Sequence, residues 1–171
     1  MRAFVLVGGW PGSGKTTLAS ALAAQLGVAF LSKDEVKEAL MDRLGAPATV
    51  EDSRELGSAA VTALLRVARG CPGAVIDSTW YPYTLPLVRD LPGPLVEVRC
   101  RVRIEVARER YRSRIRDERH LDRLRTETEL WGTEVPPLGV GPLMVVNTEE
   151  PVDVAALADV VKATVIDAPE R

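Results

Sequence analysis

The chain has little of what metal centres and membrane segments require. One histidine, His120, and two cysteines, Cys71 and Cys100, are all it offers as soft ligands, and the cysteines stand far apart. That set is too poor for zinc, and the wide spacing favours two buried reduced thiols over a disulfide. The N-terminal apolar run, Ala3–Val7, is too short for a signal peptide and stops at Gly8-Gly9, and no stretch approaches membrane-spanning length. A reduced, cytoplasmic setting with no membrane partner is the expectation. Charge of either sign is also not in excess: 22 Lys and Arg against 24 Asp and Glu leave a formal charge of −2, so no global basic field exists to hold long nucleic acid.

What is present suits one folded domain over 1–171. The length fits a single unit, and an apolar fraction of 46% is enough for a sizeable core. Apolar, β-branched segments at Ala3–Val7, Val28–Leu31, Ala74–Ile76, Leu95–Cys100 and Leu143–Val146 predict strands. Helical patterns separate them, at Gly14–Gln25, Lys33–Leu44, Glu51–Arg69, Ile104–Ile115 and Val152–Ala163. Alternation of this kind predicts an α/β fold, a parallel sheet covered on both faces. Residues 132–142 read as a long connector, not a domain boundary, because a strand-like segment follows at once.

The most specific string is Gly9-Trp10-Pro11-Gly12-Ser13-Gly14-Lys15-Thr16, followed by Thr17. It matches G-x-x-x-x-G-K-[ST] and sits between a predicted strand and a predicted helix, the context that motif requires. Glycines let backbone N–H groups turn inward on phosphate, and the helix N-terminus adds its positive end. Lys15 supplies a point charge for the β- and γ-phosphates, and Thr16 offers a hydroxyl to Mg²⁺. No Asn-Lys-x-Asp signature follows the last strand, which ends Val146-Asn147-Thr148-Glu149. The nucleotide is therefore read as ATP.

Other candidates close the second and third strands. Asp34, in Ser32-Lys33-Asp34, is placed where a carboxylate can take a proton from an attacking hydroxyl; a helix N-cap is the competing reading. Lys37, one turn on, either reaches an anionic acceptor or is simply solvated. Asp77 ends an apolar strand and reads either as a carboxylate acting on Mg²⁺ through water or as a cap. Trp80 and Tyr81 follow it and are expected in the acceptor pocket.

Between Arg99 and Arg125 lie eleven arginines and five acids, a local excess of six positive charges. On a helical wheel Ile104, Ala107, Tyr111 and Ile115 form the core stripe. Arg108 and Arg112 pair with Glu105 and Glu109 on one flank. Arg103, Arg110 and Arg114 have no acid beside them on the other, which suits a lid over a triphosphate, approximately 110–135, with Arg116 and Arg119 following. Arg110 and Arg114 are the favoured pair; His120 reads as an exposed lid residue.

Taken together, Gly9–Thr17, Leu31-Ser32-Lys33-Asp34, Val75-Ile76-Asp77-Ser78-Thr79, Glu109–Arg114 and Val145-Val146-Asn147-Thr148 resemble the P-loop kinases of the predicted-kinase (AAA_33-like) branch. That branch holds polynucleotide 5′-hydroxyl kinases, chloramphenicol phosphotransferase and zeta-toxin-like kinases. The resemblance implies a P-loop three-layer sandwich with five parallel strands ordered 2-3-1-4-5, in-line transfer from MgATP, Asp34 as acceptor-activating base, a paired-arginine lid helix at Arg110 and Arg114, and Thr148 beside the adenine. Polynucleotide kinases carry Arg three residues after that Asp; here it is Lys37, which lacks the bidentate fork. The expected function is thus phosphorylation of a small-molecule hydroxyl, with a polynucleotide 5′-hydroxyl kinase as runner-up and an acceptor-free nucleotide switch as a third reading. No obligate protein partner is implied.

Overall fold

The structure, a computed structural model, describes residues 2–114 and 117–166. Five strands, β1 (Phe4–Gly9), β2 (Ala29–Ser32), β3 (Ala74–Asp77), β4 (Leu95–Arg101) and β5 (Leu143–Asn147), form one all-parallel sheet in the order β2-β3-β1-β4-β5. The helices are α1 (Lys15–Leu26), α2 (Lys33–Leu44), α3 (Val50–Ala68), α4 (Leu85–Arg89), α5 (Ile104–Ser113), α6 (Glu127–Trp131) and α7 (Val154–Ile166).

The two-residue period of the central strand divides the core. Phe4 and Leu6 of β1 pack with Ala74 and Ile76 of β3 and with Val61, Leu64 and Leu65 of α3. Val5 and Val7 point the other way, to Leu18 and Leu22 of α1 and Ala158 and Val161 of α7. The inner strands β1, β3 and β4 are thereby buried on both faces, which is why they read as near-continuous apolar runs, while the edge strands β2 and β5 keep exposed positions. The result is three layers, helix on sheet on helix. A third cluster of Val102, Ala107 and Trp131, joined by Trp10 and Tyr111, packs α5 and α6 against the loop after β1.

Strand and helix boundaries follow the expectation to within a few residues, with instructive departures. Helix α5 stops at Ser113, and Arg114 is extended at φ −71°, ψ 138°; Ile115 and Arg116 lie outside the described residues. Ala107 of the expected core stripe is buried, while Ile104 and Tyr111 are half-buried. α4 and α6 are five residues each, too short to show a helical period. α6 is nonetheless capped, with Thr126 and Glu129 in a reciprocal capping box.

Residues 132–142 form no regular element, as expected of a connector. Glu97, a buried carboxylate within β4, holds this connector by accepting the N–H groups of Leu138 at 2.7 Å and Val140 at 2.9 Å. Cys100 is buried, but Cys71 is only half-buried, because it lies in the turn after α3. Among the described residues no helix is long and apolar enough to cross a membrane.

Candidate functional site

The C-terminal ends of β1, β2 and β3 deliver Lys15, Asp34 and Asp77 to one cavity of about 850 Å³, the edge at which open parallel sheets bind ligands. Its floor is the loop after β1. Gly9, Gly12 and Gly14 have φ of 142°, 73° and 82°. At Gly12 a side chain is excluded twice over: the backbone is left-handed, and a Cβ would stand 2.3 Å from the carbonyl oxygen of Ala107. Gly14 caps α1 with no side chain in the way, so the helix N-terminus is open to an anion.

Two features of this loop fit a phosphate group. Ser13 Oγ is buried and has no hydrogen-bond partner among the described residues, an orphan that an acceptor oxygen would satisfy. The Lys15 ammonium, which donates to Trp10 O at 2.8 Å, is held below its ordinary pKa. Desolvation causes the shift, Arg114 adds to it, and Asp77, Cys100 and Asp34 oppose it. An added negative charge would relieve it.

Thr16 Oγ1 donates to Asp77 Oδ2 at 2.6 Å. Asp77 is buried, and burial raises its pKa against the pull of Lys15 and the Thr16 hydrogen bond. Hydroxyl and carboxylate oxygens side by side are hard donors of the kind Mg²⁺ takes, and a cation would lower the penalty on the buried carboxylate. The residues therefore fit the metal.

Asp34 lies on the cavity wall with its side chain 40% exposed and takes Lys33 Nζ on Oδ1 at 2.7 Å. Its charge is felt by both Lys15 and Asp77. Ser32 occupies the N-cap position of α2 but makes no side-chain capping bond. Lys37 is not solvated: it is 2% exposed, donates to Ser53 Oγ at 2.6 Å and still forms part of the wall.

Several expectations are corrected. Trp80 is not on the cavity wall; it is buried in the core with Nε1 donating to Val7 O at 3.0 Å, because a large ring with one N–H is satisfied where it meets the end of β1. Its neighbours Thr79, Tyr81 and Tyr83 line the cavity instead. His120 is not exposed: it is 1% accessible, with Nε2 2.8 Å from Glu38 Oε1.

Two of the arginines without acids in their own helix find them elsewhere. Arg103 binds Glu149, and Arg114 binds Asp122 at 3.3 Å while lying over the Tyr111 ring. Arg108 pairs with Glu127, not with Glu105. Arg119 bridges Asp117 and Asp42. Arg110 donates to the carbonyl oxygens of Thr148 at 2.9 Å and Glu149 at 3.4 Å, and Thr148 Oγ1 donates to Ser13 O at 2.7 Å. Arg110 thus ties α5 to the segment after β5, and of the two favoured arginines only Arg114 lines the cavity.

Residues 117–131 run from α2 to the phosphate loop. Arg119 and His120 are held by α2, Glu129 by Arg54 of α3, and Trp131 packs on Trp10 with centroids 5.9 Å apart. This brings Asp122, Arg125 and Glu129 to the cavity wall beside Ser53 and Arg54. None was anticipated from spacing. The Thr49–Asp52 capping box locates the start of α3, but nothing local states that its first turn overhangs β3.

Comparison with known proteins agrees with this fold. The AAA domain family (AAA_33) matches residues 4–131. A presumed kinase of Chloroflexus aurantiacus superposes with TM-score 0.82 at 31% identity, over 95% of this chain and 98% of that one. At 20% and 21% identity the likeness is of fold alone: Kti12 of Chaetomium thermophilum in complex with ADP-AlF3 (TM-score 0.65, 95% and 98% covered) and a gluconokinase of Sinorhizobium meliloti (0.59, 96% and 90%). An uncharacterized protein of Mycobacterium tuberculosis is 32% identical over 120 residues, 61% of this chain; the match spans 24% of that relative, so the chain corresponds to about a quarter of it.

Proposed function

The chain belongs to the AAA domain family (AAA_33) and has a P-loop kinase-like fold, and we propose that it transfers the γ-phosphoryl group of MgATP to a hydroxyl of a small molecule. The observation that carries this reading is one cavity shared by the phosphate loop and Asp34.

In that reaction the loop amides, the α1 N-terminus and Lys15 hold the triphosphate. Thr16 and Asp77 would hold Mg²⁺, which would neutralise charge on the phosphate oxygens. Asp34 orients the acceptor hydroxyl and takes its proton. Arg114 stabilises charge on the transferring group, while Arg110 fixes Thr148 and Glu149 beside the nucleoside. Lys37 supports the acceptor side through Ser53. Residues 110–135 act as a lid that excludes water once both substrates are in place.

Pairing of Arg114, Arg119 and Arg123 with acids favours a small acceptor over a polynucleotide, since paired arginines leave less positive field for a backbone. The test is transfer from γ-labelled ATP to 5′-hydroxyl oligonucleotides, nucleosides, sugars and hydroxylated antibiotics, with Asp34→Asn in parallel. Label on a small molecule that disappears in the variant is expected. Label confined to oligonucleotides would replace this reading with the polynucleotide one, and ATP bound with no label on anything would favour a switch.

A further inference from the structure

Tyr81 and Tyr83 stand on the wall of the same cavity, 44% and 52% exposed. Their planes are within 13° of parallel with centroids 6.1 Å apart. Face-to-face contact brings atoms to about 3.5–4.0 Å, so the rings are offset and each leaves aromatic surface open. The turn is held firmly: Trp80, just before them, is anchored in the core, and Tyr81 O accepts both the N–H and the hydroxyl of Thr84, at 2.9 and 2.7 Å. Two ordered aromatic rings facing a cavity form a flat surface ready to receive the apolar face of a ligand.

The charge on the wall narrows the ligand further. With Lys15 and Asp77 set aside for the donor, five carboxylates face five Lys or Arg side chains among the described residues. Asp34, Glu129 and Asp122 are already in ion pairs with Lys33, Arg54 and Arg114. A balanced wall gives no strong preference to an ion of either sign. Its interleaved donors and acceptors suit hydroxyl groups, which need both.

We propose that the acceptor is a neutral ring sugar, free or as a glycoside, with one face of the ring resting on Tyr81 and Tyr83. This rests on the kinase reading above. In the transfer, the sugar hydroxyl oxygen bonds to the γ-phosphorus, the bond from that phosphorus to the β–γ bridging oxygen breaks, ADP leaves with the electron pair, and the hydroxyl proton passes to Asp34.

Binding and transfer are measured separately on the full chain. Saturation-transfer NMR with MgADP and a panel of methyl pyranosides reports ring contact, and γ-labelled ATP reports transfer to the same sugars, to sugar acids and to open-chain polyols. Ring C–H saturation and label on a neutral pyranoside are expected. Tyr81→Ala and Tyr83→Ala should each raise KM by about tenfold, the usual worth of a stacking contact, and more than they lower kcat. Tyr81→Phe and Tyr83→Phe, which keep the rings, should recover most of that loss.

Sugar binding through the tyrosines without any label would support the ring-sugar site while removing the kinase reading. Label confined to anionic or open-chain acceptors, indifferent to the alanine variants, would overturn the proposal and leave the kinase reading standing. Absence of ring saturation for every neutral pyranoside would also overturn it.

Discussion

Thr16 Oγ1 and Asp77 Oδ2 meet at 2.6 Å across 61 positions of sequence, joining the phosphate loop to the end of β3. Burial holds the Asp77 carboxyl above its ordinary pKa. Its contribution to stability is therefore full below the ordinary carboxylate value and is lost as pH rises through the raised one. Asp77→Asn removes that loss, so without nucleotide its Tm should gain on the parent's as pH rises from about 4 to about 8. The same variant should lose the Mg²⁺ dependence of ATP binding. Thermal melts across pH, with and without MgATP, check both outcomes.

Lys15→Ala should abolish label transfer while keeping a cooperative thermal melt and an unchanged far-UV circular dichroism spectrum. The ammonium is desolvated and held below its ordinary pKa, so its charge opposes folding and serves phosphate binding. Full activity in the variant would remove the phosphate-loop argument.

Asp34→Asn preserves shape and one acceptor oxygen but loses the charge and cannot accept a proton. ATP affinity, measured by calorimetry, should be retained, with kcat reduced by about 10²- to 10⁴-fold. Weakened ATP binding with kcat intact would make Asp34 a structural group.

Gly12→Ala would place a methyl group 2.3 Å from the Ala107 carbonyl at φ 73°. Neither the loop nor α5 can yield without moving backbone. A loss of about 1–3 kcal/mol in urea unfolding is expected, together with weakened ATP binding.

Arg110 and Arg114 should separate kinetically, although they lie four residues apart. Arg114 faces the cavity and Arg110 the backbone of Thr148 and Glu149. Arg114→Ala should lower kcat by about tenfold or more, the worth of a charge-assisted hydrogen bond. Arg110→Ala should act chiefly on nucleotide affinity. Steady-state kinetics with ATP as the varied substrate distinguishes them.

Misreadings of the sequence share one cause. Arg103 and Arg114 look unpaired within their own neighbourhood, and their partners Glu149 and Asp122 belong to other segments. His120 sits among charged residues yet is buried, because Glu38 of α2 and the Ser53 hydroxyl of α3, which donates to His120 O, enclose it. Trp80 looks like a pocket aromatic beside Tyr81, but its indole N–H is bound by Val7 O at the end of β1 and its ring lies in the core. Nearest-neighbour chemistry was correct in each case about residue type and silent about the partner.

The sequence by itself determined the sheet, its covering helices and the phosphate loop. Strand burial, helix period and left-handed glycines are local properties, written within a few residues of one another. Only the tertiary structure decided how Asp34, Asp77 and Lys15 meet, which arginine faces the cavity, and that residues 117–131 complete its wall. Those relations depend on where the chain returns after long excursions, and that is settled by packing of the whole core.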